Sequence, residues 1–167
     1  GQKKHMLRAT LSSIAEVYSY RVACAGETFC SFPNADTVAE HKVKDLTREP
    51  VDSTQAGQLH SLAALVTRGD LDLKALRRRP TDELLATLES LSGVSAVGAQ
   101  LTVLCGYGRL ECFPIADTVL QRWIAQNVYE SDKVDLPAIE AWAEQWDDLR
   151  GLVALYIYAE LLKNGEL

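Results

Sequence analysis

The sequence predicts an all-α fold, and three observations carry that expectation. Apolar residues recur every three or four positions along most of the chain, no stretch alternates apolar and polar residues as a half-buried strand would, and glycine or proline sits where the periodic stretches stop or start. With 167 residues and 47% hydrophobic content, the chain can bury one sizeable core, so a single compact domain over residues 1–167 is expected. No internal repeat or low-complexity linker divides it.

Leu7, Leu11, Ile14 and Tyr18 line one face of a first helix that should end near Gly26. Asn34 can cap a short helix reaching roughly Leu46. Leu59, Leu62, Ala63 and Val66 mark a third helix, stopped by Gly69. Pro80 and Thr81 open a fourth, with Leu84, Leu85, Leu88 and Leu91 turned inward. Its partner runs from about Ala96 to Tyr107, ended by Gly106 and Gly108, so the two arms make a hairpin over about 82–107. Asp117 opens the next helix, which offers Val119, Leu120, Trp123 and Ile124 for packing. Ile139, Trp142 and Trp146 form the inner stripe of another, with a solvated acidic outer face. From Leu149 the last helix is apolar nearly all round and is expected to be central.

Charge and cysteine usage narrow the function. A net charge of −6 argues against a protein that coats nucleic acid through bulk electrostatics. Its distribution softens that argument, because acidic residues crowd Glu130 to Asp148 while Arg109 and Arg122 flank the hairpin with little opposing charge. The run Arg77, Arg78, Arg79 before Pro80 reads more readily as a solvated loop than as a phosphate site. No apolar run reaches bilayer-spanning length, and Lys3 and Lys4 precede no signal-peptide core, so a soluble, cytoplasmic protein is expected, without a membrane partner. Cys24, Cys30, Cys105 and Cys112 form no Cys-x-x-Cys pair, which favours reduced, mostly buried thiols. His5, His41 and His60 lie at no metal-ligand spacing and are expected at the surface.

Two stretches carry the chemistry. Leu91 to Ala99 reads as helix, tight glycine-bearing turn, then helix, leaving backbone N–H groups outward at a helix N-terminus, where an anion such as a phosphate binds. Phe113-Pro114-Ile115-Ala116-Asp117-Thr118 places a lone carboxylate just after a proline, at the opening of an amphipathic helix. An Asp in that position is most often an N-cap worth about 1 kcal/mol, and Gly93 taken alone could merely end a helix.

Together these residues resemble the helix-hairpin-helix DNA glycosylase superfamily, most closely its 3-methyladenine DNA glycosylase II type. The family's hairpin of apolar residue, Pro, Gly, apolar residue and Gly, with Ala four residues later, is matched by Leu91, Ser92, Gly93, Val94, Ser95 and Ala99. Its catalytic Asp follows at a nearly fixed distance after an aromatic-proline segment, where Asp117 stands. Trp142 to Trp146 and Arg150 to Tyr158 look like its last two helices, and Phe32-Pro33 and Gly69 to Leu73 like its connectors. Gly1-Gln2 resembles the middle of a motif that in the family follows a further helix and a β-rich domain, so the family's N-terminal portion is expected to be lacking. Ser95 stands where the family has glycine; a positive φ there would cost roughly 1 kcal/mol.

The resemblance implies a helix-hairpin-helix glycosylase-like bundle acting, as a monomer, on double-stranded DNA with a damaged base. The enzyme would be a base-excision-repair glycosylase hydrolysing the N-glycosidic bond of alkylated purines such as 3-methyladenine. Asp117 would be catalytic, and Tyr158 stands where the 3-methyladenine type has a pocket tryptophan. Gly93, Ser95, Val97 and Gly98 would meet the DNA backbone with Arg122, and Lys3 would take the place of the family's wedge. The main-chain carbonyls of Glu89, Leu91 and Val94 would hold a monovalent cation, Na+ or K+. Val97 replaces the nucleophilic lysine of bifunctional members, which implies no lyase activity. No cysteine follows Cys112, which implies no iron–sulfur cluster, and no other cofactor is expected. The alternatives are a helix-hairpin-helix DNA-binding module without efficient excision, and a helical interaction domain whose hairpin is only structural.

Overall fold

The computed structural model describes residues 9–166 except 11, 16, 17, 19, 20, 48 and 49, so Lys3, His5, Leu7 and Leu11 lie outside the described residues. Most of the chain is helical, and it divides into two compact units, one up to Leu76 and one from Arg77.

In the first unit, residues 9–10, 12–15 and 18 are helical and bury Ile14 and Tyr18. The expected continuation to Gly26 gives way to an antiparallel hairpin, β1 (Arg21–Cys24) and β2 (Glu27–Cys30), in which Val22 pairs with Phe29 and Ala23 with Thr28. Its turn is Ala25-Gly26, both at positive φ (51° and 83°), the backbone that a tight two-residue hairpin needs. Every strand residue is exposed, so neither face imposed the alternation by which a strand is read from sequence. Asn34 caps α1 (Ala35–Glu40) by accepting the Thr37 N–H at 2.8 Å, and α2 (Val43–Leu46) follows as a separate turn. Asp52 and Gln55 form a reciprocal capping box on α3 (Ser53–Thr67), which ends before Gly69 at φ +79°. Asp72 accepts the N–H groups of Lys74 and Ala75 at the start of α4 (Leu73–Leu76). Val38, Leu46, Val51, Ala56 and Ala63 join Ile14 and Tyr18 in this unit's core. His41 is not a free surface residue: its ring sits edge-on to Tyr18 and its Nδ1 bonds the Thr37 carbonyl at 2.7 Å.

The second unit begins with α5 (Thr81–Glu89), entered through Pro80, and its partner α6 (Ala96–Leu101), which continues into a π-turn at Thr102–Gly106. Then come α7 (Thr118–Val128), α8 (Leu136–Glu144), a 3₁₀ turn at Asp147–Leu149 and α9 (Arg150–Asn164), closed by left-handed Gly165. Leu120, Ile124, Ile139, Ala154, Ile157 and Leu161 form a shared core between these last three helices. Trp142 packs edge-on against Phe113 and Trp146, as its place in the α8 stripe requires. Helix α9 is buried along one stripe only: Tyr156 is 71% exposed, so its apolar outer face is not core as the sequence suggested.

Gly151 fixes where α9 starts. Its N–H donates to the Leu110 carbonyl at 2.6 Å, and a Cβ there would lie 2.5 Å from the Cys112 carbonyl and 2.6 Å from that of Leu110. A third obstacle, the Leu104 Cδ1 methyl at 2.6 Å, can turn aside, but the two carbonyls are main chain, so Gly151→Ala should destabilise the protein by about 1–3 kcal/mol, read as a lower urea midpoint; an unchanged midpoint would show that the contact can relax freely.

Cys112 is buried, but Cys24, Cys30 and Cys105 are exposed, against the expectation of mostly buried thiols. Two sit on the exposed β-hairpin and one in the π-turn. Burial pushes the Cys112 thiol up to about 11. At pH 8 a thiol reagent should therefore modify the three exposed cysteines of the folded protein and reach Cys112 only after unfolding; a fourth fast thiol in the native state would contradict this burial.

Candidate active site

The hairpin is built by short-range rules. After α5 the Leu91 N–H bonds the Leu88 carbonyl and the Val94 N–H bonds that of Leu91, both at 3.1 Å, with Gly93 at φ +87° making the bend. Ser95 lies in extended backbone (φ −80°, ψ 159°) and caps α6, its Oγ accepting the Gly98 N–H at 3.0 Å. No strain arises at Ser95, because this bend asks for a cap and not for a left-handed residue. Ser92, Gly93 and Ser95 are exposed, and the N–H groups of Gly93, Ser95 and Val97 find no protein acceptor among the described residues. The Gly98 N–H is taken by Ser95, so it is not one of the groups open to a phosphate. Gly98 instead leaves room for the cap, since a Cβ there would stand 3.2 Å from Ser95 Oγ.

The carbonyls of Glu89 and Val94 accept from no N–H among the described residues, and that of Leu91 accepts one, leaving a lone pair. Oxygen donors of this kind fit a hard cation, so the three residues expected to hold one are compatible with it.

Between hairpin and acid, the chain is tied down at every step. Arg109 donates to the carbonyls of Arg77 (2.9 Å) and Arg79 (3.1 Å), and the Arg77 guanidinium lies 5.9 Å over the Tyr107 ring. The arginine run is thus anchored through its main chain, and Arg109 is engaged inside the protein. Arg150 Nε donates to the Glu111 carbonyl at 2.6 Å, and the Thr81 hydroxyl bonds the Glu111 carboxylate, holding that acid below its usual range. The Ile115 carbonyl accepts from Gln121 Nε2 at 2.7 Å, and the Ala116 N–H donates to Gln100 Oε1 at 3.0 Å.

Gln100 was missed by sequence reasoning. It is a polar side chain only 8% exposed, on the inward side of α6 beside Ala99, Val103 and Leu104. A glutamine on an otherwise apolar stripe was the available signal, because a buried amide needs a partner.

Asp117 ends this segment in an extended conformation (φ −78°, ψ 111°) and is half-buried. Its Oδ1 accepts the Val119 N–H at 2.8 Å, capping α7, and its Oδ2 accepts the Tyr158 hydroxyl at 2.7 Å. The cap and the candidate acid are therefore the same carboxylate. Burial, reinforced by the hydrogen bond and charge of Asp117, raises the Tyr158 phenol above its ordinary value and keeps it a donor. A cleft of about 460 Å³ is lined by Gln100, Glu111, Phe113, Ile115 and Arg150, with neither Asp117 nor Tyr158 on its wall. Arg122 is exposed on α7, at the edge of a depression of about 220 Å³ shared with Glu166. Lys3 lies outside the described residues.

A glycine-bent helix pair followed by an aspartate-capped helix is the architecture of the helix-hairpin-helix DNA glycosylases, and the chain has that fold. It superposes with TM-score 0.85 on MBOgg1 in complex with a low-affinity DNA ligand (19% identity, 96% of this chain and 55% of that one). The 3-methyladenine DNA-glycosylase of Archaeoglobus fulgidus gives 0.79 at 16% identity, covering 90% of this chain and 50% of that one. The Clostridium acetobutylicum 8-oxoguanine glycosylase/lyase bound to double-stranded DNA gives 0.80 at 21% identity, covering 96% and 55%. In sequence, the chain is 23% identical over 130 residues to the provisionally named DNA-3-methyladenine glycosylase YfjP of Bacillus subtilis (strain 168), covering 78% of this chain and 45% of that protein. No protein-family profile matches. The chain spans about half the length of each of these relatives.

Replacing Gln100 by leucine keeps the volume but leaves the Ala116 N–H without its acceptor. Gln100→Leu should cost about 1–3 kcal/mol in chemical denaturation; a neutral or stabilising change would mean that the segment holds its place without this bond.

Proposed function

We propose that this chain carries the active site of a monofunctional DNA glycosylase that excises alkylated purines such as 3-methyladenine from double-stranded DNA, with Asp117 as the catalytic carboxylate. The observation that carries the reading is the position of Asp117: a half-buried carboxylate, held at both oxygens, whose preceding residue is bonded to the second helix of the hairpin. The names of the sequence relative and of the Archaeoglobus fulgidus neighbour support the alkylated-purine reading, while the 8-oxoguanine glycosylase/lyase neighbour supports glycosylase chemistry alone.

In this reading the amides of Gly93, Ser95 and Val97 take DNA phosphate oxygens, and the carbonyls of Glu89, Leu91 and Val94 would hold a monovalent cation, which would supply positive charge beside the same backbone. The damaged nucleotide leaves the stack. Its C1′–N bond breaks, the base departs with the bonding electrons, and positive charge grows on the sugar, where the Asp117 carboxylate stabilises it. Water attacks C1′ and gives its proton to that carboxylate. Strand cleavage would need an amine nucleophile, and Val97 supplies none. The protein would act as a monomer, with Arg122 adding a further backbone contact.

A second reading has its own observation: both Asp117 oxygens are already engaged within the protein, as in a DNA-binding module whose carboxylate is only structural. Asparagine is as good an N-cap as aspartate, so Asp117→Asn tests the chemistry without losing the helix. On methylated duplex, the substitution should lower base release by about 100-fold or more while leaving duplex affinity nearly unchanged. Release that survives the substitution would remove Asp117 from the mechanism, and a wild-type protein that binds duplex but releases no base would be the binding module.

A further inference from the structure

We infer that Tyr158 is the positioning residue for Asp117, orienting its carboxylate through the phenol O–H, and is not a stacking face for the extruded base. The inference rests on the glycosylase reading and deepens it. A carboxylate fixed only as an N-cap still turns about its Cβ–Cγ bond, since that torsion is broad. Here Oδ1 is pinned by the Val119 N–H from its own helix, and Oδ2 is pinned from 41 residues away by Tyr158 on α9. Two donors on the two oxygens define the carboxylate plane. A carboxylate has no proton to give, so the direction of the bond is settled: Tyr158 donates.

The donor is itself well held. The Tyr158 ring packs against the core of Leu120, Ile124, Ile157 and Leu161, which joins α7 to α9. The start of α9 is fixed by the Gly151 N–H on Leu110 and by Arg150 on the Glu111 carbonyl. Burial raises the phenol above its ordinary value and so keeps the hydroxyl proton available to donate. A phenylalanine at 158 fills the same volume without the donor, and a tryptophan presents a larger aromatic face without a hydroxyl in this place. The two substitutions therefore separate orientation from stacking.

Single-turnover release of 3-methyladenine from methylated duplex should fall about tenfold or more in Tyr158→Phe, with duplex affinity within about twofold of wild type. Tyr158→Trp should be no better than the phenylalanine variant. Full activity in Tyr158→Phe, or a gain in Tyr158→Trp, would overturn the positioning role in favour of packing or stacking. A second measurement keeps the inference separate from the glycosylase reading. Duplex carrying a cationic pyrrolidine in place of one deoxyribose should bind wild type more tightly than Tyr158→Phe and Asp117→Asn, which should be weakened alike. If wild type releases no base yet the pyrrolidine duplex shows this pattern, the positioning role stands while the excision reading falls. If Tyr158→Phe binds the pyrrolidine duplex as wild type does, the positioning role falls.

Discussion

The hydrogen bond from the Ala116 N–H to Gln100 Oε1 is the constraint on which the site depends. It joins the second hairpin helix to the residue immediately before Asp117, within the one compact unit that holds both the proposed grip and the proposed acid. A part-buried backbone donor needs a partner: within the segment the Ile115 and Asp117 N–H groups take the carbonyls of Phe113 and Pro114, and the Ala116 N–H takes the Gln100 side chain. Gln100 reaches across from α6 because it is buried there, next to the Cys112 thiol that bonds its carbonyl. On the far side, Gly151 and Arg150 hold the same connection to α9 through the carbonyls of Leu110 and Glu111. Helix α9 then returns the Tyr158 hydroxyl to the carboxylate.

Much of this was legible in the sequence where the signal is local. Gly93 at the bend, the Asn34 cap, the stop at Gly69 and the Asp117 helix all follow from rules that act within a few residues. The β-hairpin was not legible, because a strand exposed on both faces carries no alternation, and Ala25-Gly26 is a weaker turn signal than Asn-Gly. The role of Ser95 as a cap was not legible, because the family pattern presents the position as a glycine and raises only the question of a positive φ. Gln100 to Ala116 and Tyr158 to Asp117 span 16 and 41 residues, and contacts at such separation leave no mark on periodicity.

The acidic balance of the chain fits a surface that would meet phosphate through backbone. The hairpin presents N–H groups at an exposed turn that find no protein acceptor among the described residues, and Arg109 is committed to the carbonyls of Arg77 and Arg79. Main-chain dipoles of this kind attract an anion without adding net charge, so a net charge of −6 and a phosphate-facing bend are compatible. The same economy applies to the proposed acid, where one carboxylate ends a helix and accepts a single hydrogen bond at each oxygen.

In the proposed function, hairpin and acid serve one bound DNA strand. Amide NMR of the labelled protein, titrated with duplex containing an abasic site, reads both places at once. The resonances of Gly93, Ser95 and Val97 should move together with those of Asp117 and Thr118 along one binding curve. Hairpin resonances that shift while those around Asp117 stay fixed at saturation would contradict a shared strand.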